Sequence, residues 1–228
     1  MVSFKLDLHI HTIYSGDSLI KPMDLLKQAK RKRLDGFAIT DHETLQAYHD
    51  LKKKNMDDKL LIIPGMEIET HIGEVIGLFI EDEIDISDNN FFTIVKNIRR
   101  NNGLVVIPHP FDFLRRNHLK MELMTDRIIK KYIDGIEIMN SRIILRYCVN
   151  KAKNFNRKYQ LFETGGSDAH TLKEVGKAYT LIKNINDFSL ESLKEALLLK
   201  KSQSLGKLSS PFVHLITIAK KLRGGLYF

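Results

Sequence analysis

His9 and His11 stand two positions apart in HIHTIYSGDS, and Asp17 follows six residues later. Alternate side chains of a strand share a face, so the two imidazoles could hold one cation, or could equally be a half-buried pair. The rest of the chain bears on the choice. Groups of the same chemical kind recur just after other apolar runs: Asp41 and His42 in TDH, Glu67 in GMEIE, His109 in PHP, Glu137 and Asn140 in EIMNS, and Asp168 and His170 in GGSDAH. Five of the nine histidines fall at these points, a selection that scattered histidines would not make. Neutral imidazoles and carboxylates are donors for zinc, manganese or iron, and so many exceed the needs of one tetrahedral ion. They suit two or three ions, with a carboxylate such as Glu67 able to bridge. Ions about 3.5–4 Å apart can clamp a phosphoryl group and lower the pKa of a water until hydroxide attacks phosphorus in line. No protein nucleophile is then required. The sequence has no GxSxG motif for serine chemistry, and Cys148 lies in a helix-like stretch without an evident catalytic partner.

Short apolar runs must position these groups. Residues 4–10, 36–40, 59–68, 74–80, 103–108, 135–139 and 159–165 read as strands, rich in β-branched residues and bounded by Gly, Pro or Asp. Helical spacing lies between them. Residues 22–34 begin with a proline and an acid in the first turn and carry Leu25, Leu26, Ala29 and Leu34 on one side. Residues 91–103, 124–133 and 189–202 are similar, with Ser189 and Ser192 as caps for the last, and 211–222 forms a terminal amphipathic helix. Seven strands, most separated by a helix, predict parallel pairing and a compact α/β barrel of about seven units. Its active site would lie at the strand C-terminal ends. The expected partition is one domain over 1–228, with 189–228 as a helical extension packed on the barrel.

Composition narrows the class further. With 43% hydrophobic residues in 228, the chain can bury a full core. A lone cysteine excludes an internal disulfide and fits a reducing compartment. The N-terminus lacks the features of a signal peptide, and no run approaches the roughly 20 apolar residues of a membrane span, so a cytoplasmic protein is expected. Of the net charge of +8, residues 194–228 contribute +6. A basic segment of that kind could approach nucleic acid or simply remain solvated.

In order and at these intervals, HxHTxxSxDS, ITDH, GxE, PHP and GSDAH resemble the five motifs of the PHP (polymerase and histidinol phosphatase) superfamily over about residues 5–180. The resemblance implies a distorted (β/α)7 TIM-like barrel and two or three divalent ions, Mn, Zn or Fe, that hydrolyse phosphoester bonds. Matched motif by motif, it implies His9, His11, Asp17, His42, Glu67, His109, Asp168 and His170 as ligands. Glu67 and Asp168 would serve the ion held by His9 and His11. His109 would sit at a second ion shared through Glu67, and Asp17, His42 and His170 would surround a third. His9, His11, Glu67, Asp168 and His170 form the implied catalytic set.

Two departures stand out. Many relatives supply a further ligand, often His, after the sixth strand, where this chain has no histidine; Asn140 could substitute through its carbonyl oxygen or could equally cap a turn. The usual SDG is replaced by SGDS, which shifts the Asp17 loop by one residue. Arg115 and Arg116, directly after HPFDF, are suited to bidentate contact with a substrate phosphate; Arg142 is a weaker candidate. His49, His71, His118 and His214 follow no motif and read as structural. The expected activity is hydrolysis of a small phosphomonoester or nucleotide. The alternatives are a nuclease acting on a nucleic-acid end, a non-catalytic nucleic-acid-binding barrel, and, ranked lower, an amidohydrolase.

Overall fold

The computed structural model describes residues 3–54, 60–185, 187–213 and 217. Its strands are β1 (Ser3–Asp7), β2 (Gly36–Ile39), β3 (Leu61–Thr70), β4 (Gly73–Leu78), β5 (Leu104–Ile107), β6 (Gly135–Asn140), β7 (Phe162–Gly166), β8 (Ala178–Lys183) and β9 (Ser202–Gly206). The helices are α1 (Pro22–Arg31), α2 (Gln46–Lys54), α3 (Phe91–Arg100), α4 (Asp126–Tyr132), α5 (Arg146–Tyr159) and α6 (Leu190–Leu198). The strands join in the order β7-β6-β5-β4-β3-β2-β1-β8-β9. The sheet curls until its two halves meet: the chain beyond β1 pairs in parallel with the chain beyond β7, through Ile10 and Ala169, His11 N to Ala169 O (3.0 Å) and Asp168 N to His9 O (2.7 Å). The result is a nearly closed, distorted α/β barrel.

All seven expected strands are present, but their pairing is not uniformly parallel. β1-β2, β2-β3, β5-β6 and β6-β7 are parallel. β3-β4, β4-β5, β1-β8 and β8-β9 are antiparallel. Only two residues, His71 and Ile72, separate β3 from β4, and so short a link permits a hairpin but no crossover helix. The helix expected over 189–202 stops at Leu198, and Ser202 opens β9. Of the expected 211–222 helix, Pro211 lies in a turn, residues 212, 213 and 217 are helical, and the rest lie outside the described residues.

Strand alternation sorts the apolar side chains into an inner and an outer layer. Phe37, Ile39 and Ile62 face α1 and α2, packing on Leu25, Ala29, Tyr48 and Leu51. Val105, Ile107, Ile136 and Ile138 face Phe91, Ile94 and Ile98 of α3, Ile129 of α4 and Ala152 of α5. The intervening residues Leu6, Ala38, Ile63, Ile76, Val106 and Phe162 pack on one another inside the barrel, joined by Leu193, Ala196 and Leu197 of α6. Ser189 caps α6 by accepting a hydrogen bond from Ser192 N. With the strand starts occupied by apolar packing, polar groups are left to the other rim.

Closure between β7 and β8 depends on one close approach. Gly165 N donates to Thr180 Oγ1 at 2.8 Å, and that hydroxyl donates to Gly165 O at 3.0 Å. A Cβ at Gly165 would strike the Tyr179 backbone carbonyl, which cannot rotate aside. Gly165→Ala is therefore expected to destabilise the fold by about 1–3 kcal/mol. At about 2–4 °C per kcal/mol for a chain of this size, thermal unfolding should show a clear fall in Tm. An unchanged Tm would contradict the approach.

Candidate metal centre

The barrel's polar rim gathers groups from seven strands or the segments that follow them. Immediately beyond β1 lie His9 and His11, with Asp17 farther along the same connection. His42 follows β2, Glu67 is on β3, Glu74 on β4, His109 after β5, Glu137 and Asn140 on β6, and Asp168 and His170 after β7. Glu67 lies on the same face of β3 as Ile63, four residues earlier, so inward alternation alone carries it from core to rim. A bridge between His42 and Glu67 ties the β2 and β3 ends together. Buried Asp7 accepts from Ser167 N and Gly176 N, both at 2.8 Å, and fixes the β7 end against β1; burial pushes its carboxyl up to about 6. A Cβ at Gly166 would overlap the His9 side chain. Asp168 and His109 have φ of 53° and 29°, values that side-chain-bearing residues adopt at a cost when the surroundings demand it.

Each central imidazole is gripped from outside and turned inward. His9 Nδ1 meets Glu137 Oε1 at 3.1 Å, His11 Nδ1 meets Ser15 Oγ at 2.9 Å, and His170 Nδ1 meets the Asp168 carbonyl at 2.8 Å. The Ser15 hydroxyl donates to Asp41 Oδ1 at 2.7 Å, and Asp41 also takes Thr12 N and Thr12 Oγ1. Asp41 therefore orients His11 through Ser15. The inner nitrogens converge: His9 Nε2 and His11 Nε2 are 3.0 Å apart and stand 3.4 and 3.2 Å from Glu67 Oε2. Asp168 Oδ1 lies 3.7 and 3.5 Å from the same two nitrogens. Glu67 Oε1 is 3.1 Å from His109 Nε2. On the outer side, Asp17 Oδ2 lies 3.6 Å from His42 Nε2 and 3.3 Å from His170 Nε2.

Five carboxylates, Asp17, Glu67, Glu74, Glu137 and Asp168, thus share a small, largely buried volume with five imidazoles. The titration shifts show what the cluster attracts. Burial pulls His9 toward neutrality, yet Glu137, Asp168 and Glu67 together raise it well above the usual imidazole range. His42 goes up to about 9, burial being overcome by Asp17 and Glu67. Burial and then Glu67 raise Glu74 to about 8. Burial and neighbouring His11 lower His170 to about 4, leaving a neutral imidazole. His109 also goes down, chiefly through burial, so the upward pull of the carboxylates is felt at His9 and His42, which face them most directly. Asp168 Oδ1 and His109 Nδ1 are buried without a hydrogen-bond partner. Four groups of ligand atoms lie close enough to hold a cation: His9-His11-Glu67, His9-His109-Asp168, His11-Asp17-His42-His170 and His42-Glu67-Glu74. The donor set fits divalent cations.

All eight residues matched as ligands come together here. The arginines differ from one another. The Arg115 guanidinium pairs with Asp168 and, at 3.1 Å, with Asp112, while Arg116 lines the open cleft of about 380 Å³ above the cluster. Arg142 lines the same cleft and holds Thr217 Oγ1 at 3.0 Å and Glu174 Oε1 at 3.5 Å. Asn140 turns its amide nitrogen to Glu137 Oε2 (2.9 Å) and Asp168 Oδ2 (3.1 Å), and its carbonyl oxygen accepts from Arg142 N at 2.8 Å. The oxygen expected to face an ion is directed away from the cluster. His71 and His118 bond to nearby backbone, in keeping with structural roles; His214 lies outside the described residues. Glu74 was not expected. Attention to strand C-terminal ends passes over it, because β4 runs antiparallel and brings its beginning to this rim.

Comparison with known proteins agrees with this geometry. A PHP domain family model matches residues 7–150 and a PHP-associated model matches 149–201. An uncharacterized protein of Methanocaldococcus jannaschii is 37% identical over 183 residues, covering 80% of this chain and 72% of that one. A two-domain Bacteroides vulgatus protein containing a predicted PHP-like metal-dependent phosphoesterase shares the fold, with TM-score 0.75, 18% identity, and 96% of this chain and 70% of the other covered. A lesion-specific endonuclease of Pyrococcus furiosus also shares it, with TM-score 0.67, 17% identity, and 86% and 56% covered. Matched motifs, barrel and ligand cluster lead to one assignment: the chain belongs to the PHP domain family.

Proposed function

We propose that the cleft hydrolyses a small phosphomonoester or nucleotide, using two or three divalent ions of the manganese, zinc or iron type. His9, His11, Asp17, His42, Glu67, His109, Asp168 and His170 would hold them. The observation that carries this reading is the convergence of inward-facing nitrogens and carboxylates directly beneath a cleft lined by Arg115 and Arg116. At about 380 Å³, the cleft has the size of a small-molecule site. Divalent ions bound there supply Lewis acidity, neutralising phosphoryl oxygens and acidifying water.

The chain's own residues do the rest. Glu137, Ser15 with Asp41, and the Asp168 carbonyl fix the rings of His9, His11 and His170 so that each Nε2 lone pair faces inward. Asn140 bridges the Glu137 and Asp168 carboxylates by donating to both. Arg115, kept charged beside Asp168 and Asp112, and Arg116 at the rim would bind the substrate phosphate, with guanidinium geometry favouring two parallel hydrogen bonds. His9, His11, Glu67, Asp168 and His170 form the catalytic set because they define where the phosphate ester must lie.

The test is phosphate release from a panel of nucleotides, amino-alcohol phosphates and short oligonucleotides, run with Mn²⁺. Turnover of monomeric substrates supports the proposal; turnover confined to oligonucleotides would transfer the site to nucleic-acid ends. His11→Ala should abolish turnover while leaving the circular dichroism spectrum native, and undiminished turnover would refute the site. Ser15→Ala, which frees the outer nitrogen of His11, should weaken metal retention by about 10–100-fold. Arg116→Ala should raise KM about 10-fold or more with a smaller change in kcat, as loss of a charged hydrogen bond to the phosphate requires; an unaltered KM would remove Arg116 from the site.

A further inference from the structure

We propose that Glu74 is a ligand of the second ion, completing with Glu67 and His109 the set that the region after the sixth strand leaves short. This rests on the metal-dependent reading above and specifies which groups hold one of its ions.

Topology delivers the side chain. β4 runs antiparallel to β3, with Ile76 opposite Glu67 and Glu74 opposite Glu69. Directly opposed residues share a face, so Glu74 lies on the face that presents Glu67 and, deeper, the inward-packed Ile76. Just before it, Gly73 has φ of 118°, and a Cβ there would collide with the His118 and Leu119 backbone. Glu74 N also donates to Asn117 O at 3.0 Å. The hairpin is therefore pressed against the 117–119 loop, which fixes where the carboxylate enters the cleft.

The distances suit a shared cation. Glu74 Oε2 is 3.7 Å and Glu67 Oε1 is 3.1 Å from the same nitrogen, His109 Nε2. Ligand atoms of Glu74, Glu67 and His42 also lie within 4.8 Å of one another. Asn140, the residue otherwise placed to supply a donor, has its amide nitrogen on two carboxylates and its carbonyl oxygen on Arg142 N. Two carboxylates and one imidazole form an oxygen-rich set that neutralises a divalent charge and suits manganese.

The experiment titrates Mn²⁺ into the chelator-stripped full chain by calorimetry, with metal content measured by mass spectrometry after dialysis. Glu74→Gln should lose one equivalent, or bind it at least about 10-fold more weakly, and keep the remaining ions. Glu69→Gln removes the same charge from the exposed tip of the same hairpin and should bind as the parent does. Parent-like binding by Glu74→Gln, or an equal loss in Glu69→Gln, would overturn the assignment while leaving the metal-dependent reading intact. Should Glu74→Gln not fold, Glu74→Asp keeps the charge and withdraws it by one methylene; unweakened binding there would overturn the assignment as well. A parent chain that takes up no Mn²⁺ would instead remove the reading on which it rests.

Discussion

The structure turns on a deficit of positive charge in a buried place. Five carboxylates converge at one end of the barrel, and among the described residues the cation that pairs with the central group is Arg115, through Asp168. Burying a carboxylate without compensation costs several kcal/mol, and removing one partner of such a pair is more costly still. Proton uptake by His9, His42 and Glu74 relieves part of the deficit. Divalent cations would relieve it more completely, since each brings two charges to oxygens and nitrogens already aimed at common points. Catalytic capacity and the demand for metal are on this view consequences of one arrangement.

Much of the fold serves to hold that arrangement against its own repulsion. Parallel strands bring several C-terminal ends to the same rim, the β3-β4 hairpin brings a strand beginning there as well, and the seam between the chain beyond β1 and that beyond β7 brings His9 within 3.7 Å of Asp168. The seam requires glycine at 165 and 166, where any side chain would meet Tyr179 or His9. It also holds Asp168 in a left-handed backbone conformation. Such local costs persist where surrounding packing over-determines the chain, here Asp7 bound to Ser167 N on one side and the apolar inner layer on the other.

The sequence disclosed the site more fully than the topology. His9, His11, His42, His109 and His170 could be found because each ends an apolar run, and strand ends share a rim in any barrel with parallel units. Glu74 escaped for the same reason, since it begins a run; the two-residue link before it was the signal of reversed direction. β8 went unread although Ala178–Lys183 carries an apolar run of the kind that marked the other strands. β9, the polar stretch Ser202–Gly206, buries only Ser204 and has no apolar pattern to find. For the Asn140 carbonyl the sequence left an ion and a turn cap both open, because its neighbours on β6 were known only as a list of residues. Its contacts with Glu137, Asp168 and Arg142 depend on side-chain orientation, which spacing does not encode.

The central claim, that the cluster needs divalent cations, is tested most directly by thermal unfolding of the chelator-stripped chain across a Mn²⁺ titration. Ligand at 100 times its Kd adds about 2.7 kcal/mol to the folded state, and about 2–4 °C per kcal/mol converts that to a Tm rise of roughly 5–11 °C. A Tm that climbs with the logarithm of Mn²⁺ concentration is the result expected. A Tm indifferent to Mn²⁺, Zn²⁺ and Fe²⁺ would mean that the carboxylates are already satisfied by protons and arginine, and would contradict the account.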